Sequence, residues 1–237
     1  MPVDDRPEVV ARIFSQGTGA HYDWIVEKTL KGMDQAWKQA LLARVQRARR
    51  VLDLACGTGI LTYMFREKFP ACEVVGVDVS PEYLEVARQR ARERGDDKVS
   101  FVLGLAEEAP LTGRFDVITS CYLPKYADLS KLVPRLAERL EEGGLLIMQD
   151  FAWPSDPAVA RVLTWRFKKL VEWARRERPE AVGMFETVPV VVQGSKWLDE
   201  MMARMREQGL EGVGHEFLDR EQAALVWGRK PAGSRTA

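Results

Sequence analysis

The sequence predicts an α/β fold built on a doubly wound, mostly parallel β-sheet with helices on both faces. From residue 51 onward, short and almost wholly apolar runs alternate with helical stretches, which is the pattern of βαβ units whose strands are buried on both sides. The first run ends in a glycine loop at residues 56–59, and the second ends in Asp78. Ligands of such sheets bind at the carboxyl ends of the strands, where strand order reverses, so these two strand ends are the expected site.

Composition sets the broad class of the protein. Of the 237 residues, 46% are hydrophobic and 30% are charged, as in ordinary folded domains that are long enough to bury a core. The 35 basic and 35 acidic residues cancel. A general nucleic-acid binder would carry a basic excess, so we expect no nucleic-acid partner.

Cysteine usage and hydropathy bear on the cellular compartment. Cys56, Cys72 and Cys121 lack metal-ligand spacing, so we expect free thiols in a reducing compartment and no metal site. No apolar run approaches the ~18 residues of a membrane-spanning helix, and the first ten residues lack an apolar signal core. These features predict a cytoplasmic protein.

The predicted elements follow one another without a long linker. Regularly spaced apolar residues predict helices within residues 8–50. Ser80, Pro81 and Gly95 mark the two ends of a later helix, since they are favoured as N-cap, first helical residue and C-terminal cap. Strands are predicted at residues 51–55, 73–78, 99–103, 115–121 and 145–150, and a closing hairpin at 212–218 and 223–227. Helices are predicted at residues 61–68, 81–94, 130–141, 161–178 and 195–208.

We interpret the whole chain, residues 1–237, as one domain with four parts. Residues 1–50 form an N-terminal helical lid, and residues 51–150 form the ligand-binding core. Residues 151–190 form a helical insertion, and residues 191–237 add a closing helix and strands.

Asp53, Gly57, Gly59 and Asp78 carry the chemistry of the predicted site. Glycines let the backbone approach a ligand closely, and the helix start behind them favours an anionic group. A carboxylate at the position of Asp78 can accept two hydrogen bonds from a ribose diol. The dinucleotide fingerprint needs a third small residue where this chain has Thr62, so a pyrophosphate cradle is disfavoured.

The spacing of Asp53, Gly57 and Gly59, followed by Asp78 at the second strand end, resembles the class I S-adenosylmethionine-dependent methyltransferases. The first motif of that class has the form (D/E)xxxGxG. The resemblance implies a Rossmann-like, seven-stranded sheet with a C-terminal antiparallel strand and helical lid additions. It also implies S-adenosylmethionine as the cofactor.

A narrower resemblance, from about residue 10 to residue 230, is to the ubiquinone/menaquinone biosynthesis C-methyltransferase family. It rests on residues 13–14, 21–23, 51–62, 115–122, 150–154 and 222–230. It implies methylation of a prenylated quinol, such as demethylmenaquinol, at a ring carbon. Together the two resemblances imply cofactor contacts from Asp53, Ala55, Gly57, Gly59, Thr62, Asp78, Val79, Ala106, Glu107 and Cys121.

The catalytic candidates are His21, Tyr22, Lys125 and Tyr126. A quinol carbon becomes nucleophilic when its hydroxyl is deprotonated, so a base or a cation is expected beside that oxygen, and the ordinary pKa of histidine suits His21 to proton transfer. The quinone enzymes carry Gly-Leu-Arg-Asn where residues 123–126 of this chain read Leu-Pro-Lys-Tyr. Lys125 can replace the charge of the arginine but not its planar fork. Another small phenol, an amine or a lipid therefore stays open as the acceptor.

Other interpretations remain open at the level of sequence. A catalytically silent scaffold that binds the cofactor would keep the same glycine loop, and a nicotinamide-dependent reductase would use a similar sheet. Residues 161–176 are basic with Trp165 and Phe167 at helical positions. This stretch predicts either a peripheral membrane contact or a lid helix, packed on the active site or on the second subunit of a homodimer.

Overall fold

The computed structural model describes residues 19–233 and contains one seven-stranded sheet. Strand β1 spans Arg50–Leu54, β2 Glu73–Asp78, β3 Val99–Leu103, β4 Phe115–Cys121, β5 Leu140–Phe151, β6 Glu211–Leu218 and β7 Ala223–Arg229. Their order is β3-β2-β1-β4-β5-β7-β6. Strands β1 to β5 pair in parallel, whereas β7 is antiparallel to both β5 and β6. The predicted fold class is thereby confirmed.

Helices cover both faces of the sheet. Helix α1 spans Tyr22–Leu30, α2 Met33–Ala43, α3 Ile60–Lys68, α4 Pro81–Arg94, α5 Leu129–Arg139, α6 Pro157–Glu177, α7 Val182–Gly194 and α8 Trp197–Glu207. Leu41 of α2 and Phe65 of α3 belong to the core on one face. Leu132 of α5 and Met201 of α8 belong to the core on the other.

The strand order reverses between β1 and β4. From β1 the chain moves outward to β2 and β3, and then returns to place β4 on the other side of β1. The loops that follow these two central strands therefore diverge to opposite faces of the sheet and leave a crevice between them. The glycine loop follows β1, so it lies at this crevice.

Helix α4 begins and ends where the sequence predicts. The Ser80 side chain accepts a hydrogen bond from the Tyr83 amide, and Pro81 occupies the first turn. Gly95 caps the other end with a φ of 60°, in the left-handed region that glycine adopts at little cost.

The largest difference in boundaries concerns α5 and β5. The predicted helix over residues 130–141 ends at Arg139, and β5 begins at Leu140, which pairs with Phe115. The next paired residue of β5 is Leu145, opposite Val117, so residues 141–144 bulge out of the strand. Gly143 has a φ of 72°, a left-handed conformation that glycine adopts more easily than other residues. Gly143 therefore belongs to this bulge and does not cap the preceding helix.

Most of helix α7 lies within the predicted helical insertion, residues 151–190, but the sequence did not predict it as a separate helix. It contains Pro189 and several β-branched residues, which disfavour a helix in isolation. Helix α6 begins at Pro157, four residues before the predicted start, because the Asp156 side chain caps it by accepting from the Ala158 amide. The helices predicted within residues 8–14 lie outside the described residues. Within residues 19–233, none of the helices combines the length and the apolar character needed to cross a bilayer.

Candidate active site

The glycine loop connects β1 to α3 through a run of left-handed backbone. Ala55, Gly57 and Gly59 have φ values of 51°, 56° and 85°. A Cβ on Gly59 would lie 2.9 Å from the Tyr63 ring, so both conformation and space require glycine there. This turn brings the backbone of the loop to the crevice at the strand-order reversal.

Asp78, at the end of β2, is oriented by two backbone donors. The Gly57 amide donates to its Oδ2 at 2.8 Å, and the Ser80 amide donates to its Oδ1 at 2.8 Å. Burial raises the pKa of Asp78, and these hydrogen bonds oppose that rise. The remaining lone pairs of the carboxylate are available to a ligand.

A cleft of about 780 Å³ lies at the crevice. Its walls include Ala55, Gly57, Asp78, Val79, Ala106, Glu107 and Cys121, all of which the sequence analysis assigned to cofactor binding. Tyr83, Leu105 and Tyr122 also line it, although the sequence analysis did not assign them.

A smaller recess of about 350 Å³ adjoins the cleft at the glycine loop and is lined by Asp53 among others. Thr62 donates to Asp53 Oδ2 at 2.6 Å, so Thr62 holds this carboxylate rather than lining either cavity. Burial raises the pKa of Asp53 to about 7, opposed by the Thr62 hydrogen bond and the charge of Lys38.

An apolar chamber of about 800 Å³ lies beyond the cleft, between the lid helices α1 and α2 and the α6–α7 pair. Its walls include Ile25, Met33, Trp37, Phe151, Leu163, Phe167, Leu170, Met184, Phe185 and Val188. Tyr22, Tyr122 and Tyr126 line both the chamber and the cleft. The two cavities therefore meet at three tyrosines.

Lys125 and Asp150 form a buried ion pair in the wall of the chamber. The Lys125 ammonium donates to Asp150 Oδ1 at 2.7 Å and to the Tyr122 carbonyl at 2.6 Å, and its side chain is 1% exposed. Burial lowers the pKa of Lys125 and raises that of Asp150, and the attraction within the pair opposes both shifts. The ammonium lies 4.3 Å from the centroid of the Tyr126 ring.

A second cluster of polar side chains, formed by Tyr122, Asp34 and Lys38, connects the lid to the end of β4. The sequence did not predict it. The Tyr122 hydroxyl donates to Asp34 Oδ1 at 2.6 Å, and Lys38 pairs with the same carboxylate. Burial, with the nearby Asp34 charge, raises the pKa of Tyr122. Tyr122 has a φ of 69°, in a region that few non-glycine residues occupy and that is enriched at functional sites. The spacing of Asp34 and Lys38, one helical turn apart, is the only sequence signal of this pair.

The two catalytic candidates at the start of the lid, His21 and Tyr22, have different surroundings in the structure. Tyr22 packs on Tyr83 with ring centroids 4.9 Å apart and lines both cavities. His21 is exposed and is absent from the walls of the cleft, the chamber and the recess. Its position therefore gives no geometric support to a role in proton transfer, because a base must reach the proton that it removes.

Comparison with known families shows which family the chain belongs to. A family model described as a methyltransferase domain matches residues 46–209, which include the glycine loop, Asp78 and the Lys125–Asp150 pair. The chain belongs to the methyltransferase family. It is an S-adenosylmethionine-dependent enzyme of the class that the glycine loop predicts.

Relatives and solved structures agree with this assignment. The methyltransferase is 30% identical to a demethylmenaquinone methyltransferase of Thermus thermophilus over 89% of this chain and 96% of that protein. It is 32% identical to a ubiquinone/menaquinone biosynthesis C-methyltransferase of Ectopseudomonas mendocina, over 68% of this chain and 65% of that one.

Among solved structures, the S-adenosylmethionine-dependent methyltransferase SibL superposes with a TM-score of 0.62 at 17% identity, over 98% of this chain and 70% of that one. An O-methyltransferase family protein of Burkholderia thailandensis gives a TM-score of 0.61 at 19% identity, over 85% of this chain. The methyltransferase spans 57% of that longer protein. At these identities the two structures show the shared fold alone.

The residues of the cleft fit S-adenosylmethionine. Asp78 is held by two amides in a position to accept from ribose hydroxyls, and Gly57 and Gly59 keep the loop free of side chains. Ala106 and Leu105 offer an apolar wall for a base. Bound there, the cofactor would supply an electrophilic methyl group on a sulfonium.

Proposed function

We propose that this methyltransferase methylates a ring carbon of a prenylated quinol such as demethylmenaquinol. The observation that carries the proposal is an apolar chamber that meets the cofactor cleft at Tyr22, Tyr122 and Tyr126 and has a buried cation, Lys125, in its wall. Aliphatic and aromatic walls suit an isoprenoid chain and a flat ring. The names of the Thermus and Ectopseudomonas relatives support the same acceptor class.

Lys125 is suited to hold the oxygen of the acceptor. An ammonium has three N–H donors, and Asp150 and the Tyr122 carbonyl take two of them. The third can bind a quinolate oxygen, which keeps the phenol ionised and its neighbouring carbon nucleophilic. In the transfer, the ring carbon forms a bond to the methyl carbon, the methyl–sulfur bond breaks, and the ring carbon then loses its proton.

A second candidate acceptor, a small phenol or an amine, is favoured by one departure from the quinone enzymes. Lys125 and Tyr126 stand where those enzymes carry Arg and Asn, so the planar, bidentate contact of an arginine is missing. A smaller acceptor would use the same chamber without filling it.

The test is methyl transfer from labelled S-adenosylmethionine to a short-tailed demethylmenaquinol kept reduced. Mass spectrometry of the product is expected to show one added methyl on a ring carbon. The oxidised quinone serves as the control, since it lacks the ionisable hydroxyl and should not react. Cofactor binding is measured in the same sample.

Cofactor binding without methyl transfer to the quinol, together with transfer to a simple phenol or amine, would replace the first proposed acceptor by the second. Binding without transfer to any acceptor would favour the silent scaffold.

We further propose that the outer side of α6 rests on an anionic lipid surface. Val162 and Trp165 are 57% and 59% exposed, and Arg161, Lys168 and Lys169 are exposed on the same helix. Basic residues around exposed apolar ones are typical of interfacial helices. The other side of α6 lines the chamber, so such contact would bring a lipid-soluble acceptor close to its site.

Flotation with vesicles tests this contact. The protein is expected to float with vesicles of anionic lipid and less with zwitterionic ones, and Trp165→Ser is expected to weaken flotation. Equal recovery in the absence of anionic lipid would overturn the proposal. A dimer in solution that is lost in Trp165→Ser would instead assign this surface to a second copy of the chain.

A further inference from the structure

The recess at the glycine loop contains one buried basic and one buried acidic side chain. Lys38 of α2 is 5% exposed and Asp53 of β1 is 1% exposed, and both line the recess. The recess shares Ala55, Gly57 and Cys121 with the cofactor cleft. It is therefore a side pocket of the cleft rather than a separate cavity.

Three features make the Lys38 side of the recess favourable for an anion. The ammonium is oriented by its contact with Asp34, whose carboxylate also accepts from Tyr122. Its charge reaches the interior of the recess: it lowers the pKa of Asp53 and Cys121 against the effect of burial, while the Asp34 charge raises the pKa of Cys121. Helix α3 begins at the recess with Gly59 as an N-cap that provides no side chain, so its first turn adds a positive dipole end.

The Asp53 side of the recess is favourable for a cation. Its Oδ2 accepts from the Thr62 hydroxyl, and a carboxylate has about four lone-pair sites, so Asp53 can accept from a further donor. The recess thus has a basic and an acidic side chain for the two charges of a zwitterion, and it adjoins the cleft that Asp78 lines. The amino-acid end of S-adenosylmethionine is a zwitterion with one ammonium and one carboxylate.

We propose that Lys38 binds the carboxylate of the amino-acid end of S-adenosylmethionine and that Asp34 positions its ammonium. Lys38 then lets the enzyme distinguish the full cofactor from adenosyl compounds without that carboxylate. The lid helix α2 contributes to the cofactor site through this one residue. The proposal does not depend on which acceptor is methylated. Either this proposal or the quinol proposal can therefore fail while the other holds.

The test compares two ligands that differ by one group. S-adenosylmethionine and its decarboxylated form share the adenosine, the sulfonium and the amine, and only the first has the carboxylate. Calorimetry on Lys38→Met is expected to show about ten- to hundredfold weaker binding of S-adenosylmethionine, as for a lost hydrogen bond between charged groups. Binding of the decarboxylated form is expected to stay within about twofold of the unaltered enzyme.

Two further variants keep the test decisive. Lys28→Met removes an exposed lysine from the neighbouring lid helix and is expected to change neither affinity. The double variant Lys38→Met with Asp34→Asn avoids an unpaired buried carboxylate, so it replaces the single variant if that one does not fold. An equal loss for both ligands would overturn the proposal and leave Lys38 as a brace of the lid. Unchanged binding of S-adenosylmethionine would overturn it as well.

Discussion

The Tyr122 hydroxyl donates a 2.6 Å hydrogen bond to the carboxylate of Asp34, which lies 88 residues earlier in the chain. This bond ties the end of β4, at the strand-order reversal, to the lid helix α2. Tyr122 also stacks on Phe151 with ring centroids 4.9 Å apart. One side chain therefore fixes the lid relative to the wall shared by the cleft and the chamber.

Removing this hydroxyl should loosen the acceptor site. In Tyr122→Phe the buried Asp34 loses a donor, and we expect a loss of about 1–3 kcal/mol in the free energy of unfolding. The KM for the acceptor should rise, because the chamber wall is no longer fixed. Tyr63→Phe is the matched control, since the Tyr63 hydroxyl donates to the Ala87 carbonyl at 2.7 Å and lines neither the cleft nor the chamber. A similar rise in KM in both variants would show a general loss of stability instead.

Asp78→Asn should weaken cofactor binding. The amide keeps the shape of the side chain but provides one acceptor oxygen instead of two, so we expect about ten- to hundredfold weaker binding by calorimetry. Asp116→Asn is the control, because Asp116 is also buried and accepts from the amides of Arg49 and Arg50. Asp116 follows Phe115 at the start of β4, away from the cleft. If Asp116→Asn weakened binding as much, the ribose assignment of Asp78 would fail.

The Lys125–Asp150 pair should serve turnover as well as stability. Lys125→Met alone leaves Asp150 charged and unpaired, and we expect a loss of about 3–5 kcal/mol in the free energy of unfolding. The double variant with Asp150→Asn should recover most of that stability while kcat stays low, since no cation remains beside the acceptor oxygen. Wild-type kcat in the folded double variant would make the pair purely structural. Cofactor affinity, measured in parallel, should change little.

Asp53 should make stability fall as pH rises toward neutrality. Burial raises its pKa from 3.8 to about 7 in the folded state, so folding favours the protonated form and disfavours the charged one. This contribution is fully present below pH 4 and is lost as pH rises through 7. A shift of about three pKa units corresponds to about 4 kcal/mol. Asp53→Asn can still accept from Thr62 but does not titrate.

The measurement is chemical denaturation of the apo enzyme at several pH values between 4 and 8. Other titrations are common to both proteins, so the difference between Asp53→Asn and the unaltered enzyme isolates Asp53. The variant should become relatively more stable across this range. A difference that stays constant with pH would show that Asp53 is ionised throughout.

The parts of the fold that sequence predicts are those set by local patterns. Strands β1, β2, β3 and β4 are short apolar runs, and their bounds agree with the predicted ones to within a residue. The glycine loop and Asp78 adjoin such runs, so their meeting at one sheet edge follows from parallel topology. The cofactor cleft could therefore be predicted in outline.

The parts that sequence does not predict depend on how the lid packs. Asp34 and Lys38 look like an ordinary exposed pair on an amphipathic helix, and only the docking of α2 on the sheet buries them. Helix α7 contains a proline and several valines, yet Met184, Phe185 and Val188 line the apolar chamber, and this tertiary packing outweighs its low helix propensity. His21 suits proton transfer by its chemistry, yet the turn before α1 leaves it exposed.

The residue next to Tyr22 provides a test of the lid as a moving part. The Asp23 carboxylate accepts from the Thr58 hydroxyl at 2.5 Å and from Arg90 at 2.5 Å, so it fastens α1 to the glycine loop and to α4. Arg90 also donates to the Thr58 carbonyl at 2.9 Å. Thr58 lines the recess next to the cleft, and Tyr22, the neighbour of Asp23 in the chain, lines both.

Asp23→Ala should release α1 locally without unfolding the sheet, because the side-chain partners of Asp23 are Thr58 of the glycine loop and Arg90 of α4, outside the strands. Hydrogen exchange of residues 22–30 should become faster, while exchange in β1 and β4 stays slow. The dissociation rate of S-adenosylhomocysteine should rise, since Tyr22 no longer closes the cleft. Glu27→Ala, at an exposed position of the same helix, should leave both rates unchanged. Faster exchange in residues 22–30 without faster ligand release would mean that α1 covers the acceptor chamber and does not control the cofactor. Unchanged exchange would mean that other packing of α1, such as the contact of Trp24 with Trp173 of α6, holds the lid rather than Asp23.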